Sequence, residues 1–208
     1  MSGRSESTPR RRPVFARHAA SLLLWREGPD GTEVLMGVRG AGHRFMPNRL
    51  VFPGGAVDKG DGLAAAASEP EAETLALLGR VARPRLARGL VMAAARELEE
   101  ETGLSFGTPP RLAGIHYLCR AITPPSSPIR FNARFLVASA GLVEGVAADS
   151  RELGSVRFYP VSEALELELM EVTRAVLGRL VEFLASGGAS DGGTRAVFAY
   201  RRRRWEPD

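Results

Sequence analysis

Cysteine is nearly absent from this 208-residue chain, and Cys119 is its single thiol. An internal disulfide framework is thereby excluded, and the composition suits a reducing compartment. Cys119 falls inside an apolar run, where a thiol is expected to be buried and inert. Histidine is also scarce: His18, His43 and His116 stand apart and show no metal-ligand spacing. No apolar stretch approaches the length of a membrane span. Ser21-Leu22-Leu23-Leu24-Trp25, after Arg11-Arg12, is too short for the core of a signal peptide. These absences predict a cytoplasmic protein without a membrane partner. No serine or cysteine nucleophile and no internal repeat is visible.

What is present is ordinary for a globular protein: 44% apolar and 25% charged residues, enough for one domain with a substantial core. The formal net charge of +4 is modest, and much of it sits in Arg10-Arg11-Arg12 and Arg201-Arg202-Arg203-Arg204. Neither run is interleaved with stacking aromatics beyond Trp205, so both read as solvated arms rather than a nucleic-acid surface. Residues 1–13 lack periodicity, and residues 1–17 are expected to form a flexible basic arm before a single domain over 18–208.

Within that domain, Ala19–Trp25 and Val34–Val38 read as strands joined by a turn at Glu27–Gly31. Asn48–Phe52 is a short third strand running into Gly54-Gly55. A short helix is expected over Glu71–Gly79 in an alanine-rich stretch broken by Pro70 and Pro84. Leu90–Thr102 is a stronger helix, with Gly103 placed to end it. Further strands are expected at Ile115–Ile122, Arg130–Val137, Val156–Tyr159 and Ala196–Tyr200. Val172, Val176, Leu180 and Leu184 form an apolar stripe at helical spacing, which predicts a core-facing helix.

The most informative segment is Arg96-Glu97-Leu98-Glu99-Glu100-Glu101-Thr102-Gly103-Leu104. Glu97 lies three and four residues before Glu100 and Glu101, so these three carboxylates share a helix face, while Glu99 points elsewhere. Like charges at that spacing repel, and a hard divalent cation would turn the repulsion into attraction. A solvated charged face is the plainer account of an acidic run. The residues around it change that balance. Phe52-Pro53-Gly54-Gly55 precedes it, with Asp61 on the acidic side of the same region.

Together these residues resemble the Nudix box: Gly, five residues, Glu, seven residues, then Arg-Glu-aliphatic-x-Glu-Glu-x-Gly-aliphatic. Arg96, Glu97, Leu98, Glu100, Glu101, Gly103 and Leu104 match its second half, and Gly55 its first glycine. Asp61 stands where the family has Glu, and residues 62–95 fill a space the family spans with seven. The box is thus split by an insertion over 62–87. The resemblance implies an α/β/α sandwich with a mixed sheet, and hydrolysis of a pyrophosphate bond with Mg²⁺ or Mn²⁺. It implies that Glu97, Glu100 and Glu101, with the Gly54 carbonyl, hold the metal while Arg96 orients the glutamates. A further acidic ligand or general base is expected from Glu152, with Glu144 the alternative.

The split box, together with Ile122-Thr123-Pro124-Pro125 and Arg130-Phe131-Asn132-Ala133-Arg134-Phe135, resembles a mammalian peroxisomal branch acting on coenzyme A and its esters. The likeness runs over roughly residues 18–165. The chain ends Trp205-Glu206-Pro207-Asp208 rather than in a peroxisomal tripeptide, so that location does not carry over. The expected substrate is coenzyme A or an acyl-CoA, with ADP-ribose or a dinucleoside polyphosphate as alternatives. Arg39, Arg44, Arg49, Arg130 and Arg134 are candidate phosphate contacts, because guanidinium forks suit phosphate oxygens. Phe45 is a candidate for stacking on a base. A nucleotide sensor without hydrolysis is the reading from another class, and a homodimer is expected by analogy.

Overall fold

The computed structural model describes residues 14–40, 42, 48–188 and 198–208. Arg44 and Phe45 lie outside the described residues, as do His43 and the basic run at 10–12. Among the described residues, nine strands form one mixed sheet. The central strand is β1 (Arg17–Gly28), which pairs antiparallel with β2 (Gly31–Arg39) and parallel with β6 (Phe131–Ser139). The main path runs β3 (Leu50–Val51), β2, β1, β6, β5 (His116–Ile122), β8 (Phe198–Arg201) and β9 (Arg204–Pro207). Short β4 (Gly54–Ala56) adds to β1, and β7 (Leu153–Pro160) adds to β2.

Leu22, Leu23 and Leu24 are all fully buried, as a central strand covered on both faces requires. Ala20, Leu22 and Leu24 join a core that includes helices α1 (Ala72–Gly79) and α2 (Pro84–Thr102). Leu23 faces the other way, into a core shared with Val176, Leu177, Leu180 and Phe183 of α4 (Glu171–Ala185). The short α3 (Val161–Glu166) contributes Val161 and Ala164 to that second core. Helices on both faces of a mixed sheet make the α/β/α sandwich expected from the sequence. No described helix is long and apolar enough to cross a membrane.

Several elements differ from the expectations in instructive ways. Helix α2 starts at Pro84, six residues before Leu90, because proline at the first helical position has no N–H to lose and a favourable φ. It ends as expected: Gly103 takes the left-handed conformation (φ 73°) and donates its N–H to the Glu99 carbonyl. The expected strand over Asn48–Phe52 shrinks to two residues, since Asn48 sits at φ 55° and the chain turns at Pro53 to place β4 beside β1. Arg17 opens β1 rather than ending an arm. The run Arg201–Arg204 is not a solvated tail. It forms the end of a hairpin, in which Trp205 packs edge-on against Tyr200 at 5.1 Å. The Asp208 carboxylate secures that hairpin, accepting from Arg120 Nη1 (2.8 Å) and Arg201 Nη2 (3.3 Å).

The inserted residues dock on the first turns of α2. Arg88 donates to both carboxylate oxygens of Glu69 (2.7 and 2.8 Å) and to the Ala64 carbonyl (2.8 Å). Thr74 donates to the Ile115 carbonyl, while Leu77 and Leu78 enter the core beside α2. At the crossing, a Cβ on Gly62 would stand 2.5 Å from the Arg85 carbonyl oxygen, so only glycine allows this approach. Gly62→Ala should therefore cost about 2 kcal/mol by forcing the backbones apart, read as a lower urea midpoint. An unchanged midpoint would refute this docking.

Candidate active site

The two halves of the split motif meet in space. Strand β4 pairs with β1 so that Gly54 lies opposite Ser21 and Gly55 opposite Ala20. This sets the glycine pair over the last turns of α2. The Gly54 N–H donates to Glu101 Oε2 at 2.7 Å. A Cβ on Gly55 would fall within 2.4–2.5 Å of the Glu97 carboxylate. At Gly54 (φ +155°) a Cβ would meet the Ala20 carbonyl oxygen at 2.4 Å. At Gly54 the obstacle is backbone and glycine is required, whereas at Gly55 it is the movable end of the Glu97 side chain.

The four glutamates of the cluster occupy different environments. Glu101 is 2% exposed, Glu97 is half-buried, and Glu100 and Glu99 are exposed. Arg96 binds this group together. Its Nη1 donates to Glu97 Oε1 and Glu100 Oε2, each at 2.9 Å. Its Nε and Nη2 reach Asp61 Oδ1 (3.1 Å) and Oδ2 (3.3 Å), and Nη2 also donates to the Ala56 carbonyl (3.1 Å). Asp61 is buried and accepts the Asp58 N–H at 2.7 Å as well. The shorter acid therefore still braces Arg96, despite the insertion that begins directly after it.

Burial and crowding raise the proton affinity of the inner carboxylates. Burial pushes Glu101 up to about 7, with Glu97 and Glu152 adding repulsion against the opposing Gly54 N–H and Arg39. Glu97 is also raised, chiefly by burial, with Glu100 and Glu152 contributing. Burial opposes the charge on Arg96, but hydrogen bonds and charges from Asp61 and Glu97 outweigh it and hold the guanidinium firmly protonated. Among the described residues, no three acidic, histidine or cysteine side chains converge on one point in this conformation. The physical reason is visible: Arg96 draws Glu97 and Glu100 toward itself, while Gly54 holds Glu101.

Glu97 and Glu100, though not the buried Glu101, open onto a cavity of about 630 Å³ lined also by Gly54, Gly55, Glu152 and Arg39, among others. Glu152 is the loop glutamate that reaches it. Glu144 instead pairs with Arg111 (2.6 Å) and lies outside the lining. Arg39 Nη2 donates to the Gly54 carbonyl (3.4 Å) and stands 4.0 Å from Glu101 Oε1.

The remaining arginine candidates are placed elsewhere. Arg49 pairs with Glu168. Arg130 donates to the Thr123 (3.1 Å) and Val14 (2.7 Å) carbonyls, tying the start of β1 to the β5–β6 loop. Arg134 is fully buried. Strand alternation explains it: Ala133 and Phe135 face the cavity, so Arg134 between them faces away. There it contacts His18 Nδ1 (2.9 Å) and the Asn132 carbonyl (2.8 Å), and burial lowers its pKa to about 10. The sequence reading missed Arg17, Arg202 and Arg203, which do line the cavity. For Arg17 the signal was available in the alternation Arg17, Ala19, Ser21; for the hairpin arginines there was none.

No protein-family model matches the sequence, and no curated protein matches it significantly. Solved structures do. A Nudix hydrolase from Alicyclobacillus acidocaldarius is 24% identical with a TM-score of 0.63, covering 86% of this chain and 99% of its own. The Nudix domain of Shewanella oneidensis NrtR, complexed with ADP ribose, is 16% identical with a TM-score of 0.55, covering 82% and 90%. A C. elegans Ap4A hydrolase is 16% identical with a TM-score of 0.50, covering 82% and 98%. The chain has the Nudix fold.

The buried carboxylate gives a measurable pH dependence in metal-free protein. Glu101 has an ordinary value of 4.5 and about 7 in the folded state. Between those values the folded state holds the proton more tightly than the unfolded state. Its contribution to stability therefore falls as pH rises from about 4.5 to 7 and stays low above that range. Glu101→Gln should match the wild type in stability at pH 4 and exceed it at pH 8, by urea unfolding in EDTA. A variant less stable at pH 8 would contradict this account.

Proposed function

We propose that this chain is a Nudix hydrolase that cleaves a pyrophosphate bond in a nucleotide derivative with the aid of Mg²⁺ or Mn²⁺. The observation that carries the reading is the seating of Gly54-Gly55 directly on Glu97 and Glu101. That arrangement leaves the Gly54 carbonyl and the Glu101 carboxylate both within 4.0 Å of Arg39 Nη2, with Glu97 and Glu100 on the cavity wall. These oxygens are all hard donors of the kind these cations take. Glu97, Glu100, Glu101 and the Gly54 carbonyl would hold the metal, with Glu152 lining the same cavity. A metal bound there would neutralise phosphate oxygens and lower the pKa of a water.

The chain's own residues supply the rest. Arg96, fixed by Asp61, keeps Glu97 and Glu100 in register and offsets their repulsion while no cation is present. Arg39, beside Gly54 and Glu101, is placed to contact a phosphate oxygen with a charge-assisted hydrogen bond. Glu152 is exposed and has no ion pair among the described residues, so it is the group free to take a proton from the attacking water. The first substrate choice is coenzyme A or an acyl-CoA, with ADP-ribose and dinucleoside polyphosphates next. A sensor that only binds nucleotide would have no use for a carboxylate buried as deeply as Glu101, whose charge is costly at neutral pH.

Incubation with these compounds and Mg²⁺, with products resolved by mass, tests the activity; no pyrophosphate cleavage in any of them sinks it. Glu100→Gln and Glu101→Gln should each lower kcat by about 100-fold or more while the protein stays folded. Gly55→Ala probes the seating itself. Its methyl must displace the mobile end of Glu97 rather than backbone, so the melting temperature should shift little while kcat/KM falls about tenfold or more. Full activity in Gly55→Ala would show that the Glu97 position does not matter.

A further inference from the structure

A second cavity, of about 660 Å³, lies beside the first turns of α2. Arg17 and His18 enter it from the start of β1, Lys59 from the segment after β4, and Arg83 and Arg85 from the return of the insertion into α2. Arg17 is the residue it has in common with the cavity at the glutamates.

Its charges are not matched as they are elsewhere on the surface. Arg88 pairs with Glu69, Arg111 with Glu144 and Arg157 with Glu163. Arg17, Lys59, Arg83 and Arg85 have no ion pair among the described residues, although Arg85 Nη2 donates to the Lys59 carbonyl at 3.0 Å. The acid in the lining is Asp58, and its carboxylate already stands 3.9 Å from Arg96 Nη2.

A further positive charge lies behind His18. Arg134 is fully buried, and its Nε has no hydrogen-bond partner. A guanidinium has donors only, so where Arg134 Nη1 meets His18 Nδ1 at 2.9 Å the ring nitrogen must accept. The ring proton then sits on Nε2. Burial and the charges of Arg134 and Arg120 lower the His18 pKa, which keeps the ring in this neutral form at pH 7. His18 thus gives the cavity a donor backed by a buried cation. Such a cation is costly without a counterion, and an anion accepting from Nε2–H recovers part of that cost.

We propose that this cavity is an anion site apart from the one at the glutamates, and that it binds a phosphate group, free or as a phosphomonoester. A phosphate dianion offers acceptors only, which suits a lining made almost entirely of donors. Arg17, Lys59, Arg83 and Arg85 supply charge-assisted hydrogen bonds, and His18 adds a neutral one. The insertion gains a role, since Arg83 and Arg85 belong to it. Nothing in this depends on the hydrolase reading.

Calorimetric titration of the protein with inorganic phosphate, in EDTA and KCl at about 0.15 M ionic strength, tests the site where loose surface attraction is screened. Phosphate should bind saturably. Lys59→Gln/Arg83→Gln should weaken it by about fivefold or more. Both side chains are exposed, and an unchanged melting temperature without phosphate confirms that this variant folds. His18→Leu should lose affinity although it removes no formal charge. His18→Gln, which keeps an acceptor for Arg134 and a donor for the ligand, should restore part of it. If His18→Leu does not fold, the double variant decides alone. A parallel titration with 5′-AMP separates the sources: tighter binding than phosphate identifies a phosphomonoester, and equal binding the free ion. No saturable phosphate binding in the wild type, or the same affinity in the double variant, overturns the proposal.

Discussion

Arg96 is the point on which the arrangement of acidic groups depends. Its guanidinium spans the two separated parts of the chain, contacting Asp61 and the Ala56 carbonyl on one side and Glu97 and Glu100 on the other. With Arg96 absent, Asp61 would be a buried charge without its cation, and the helix face would carry uncompensated repulsion. Both are destabilising, the first far more than the second, because a buried unpaired charge loses its hydration without recompense. The same group ties the end of β4 to α2. It therefore fixes not only charge but also the separation between the glycine pair and the glutamates. Glu101, outside its reach, is instead held by a backbone N–H, and its charge is correspondingly harder to maintain.

That division explains why the acidic cluster does not converge in this conformation. A cation entering the site would compete with Arg96 for Glu97 and Glu100 and with a proton for Glu101. The affinity for any such cation would therefore depend on pH through Glu101. The guanidinium thus acts as a stand-in counterion, keeping the carboxylates near each other when nothing else neutralises them.

Much of this was legible in the sequence because it depends on local periodicity. The spacing of Glu97, Glu100 and Glu101, the Gly103 stop and the stripe from Val172 to Leu184 are all features of single helices. Gly54-Gly55 was legible through its motif, although the reason for glycine appears only once Glu97 is seen beneath it. What stayed hidden depends on strand register. Arg134 looked like a phosphate contact, yet a one-residue offset from Ala133 and Phe135 sends it to the opposite face, where it meets His18. Arg130 was diverted in another way, to carbonyls that anchor the entry to β1. Arg201–Arg204 looked like a tail because four arginines carry no strand signal; pairing with β5 and the carboxylate of Asp208 supplied what propensity did not.

The insertion changes the site less than its length suggests. It leaves from Asp61 and returns through Pro84 into the same helix that carries the glutamates. Its own helix packs beside α2 on the core side, away from Gly54 and Glu152. A long excursion is tolerated because loop closure grows only slowly in cost with length. Here the closure is also anchored at both ends, by Asp61 on Arg96 and by Arg88 on Glu69. The anchored ends are what allow an acid one methylene shorter than glutamate to keep its grip on Arg96. The first residues of the insertion form a 3-10 turn that presses Gly62 against α2 and draws the Asp61 carboxylate inward. The shortened side chain and the close glycine contact belong to the same solution, in which the backbone approaches where the side chain no longer reaches.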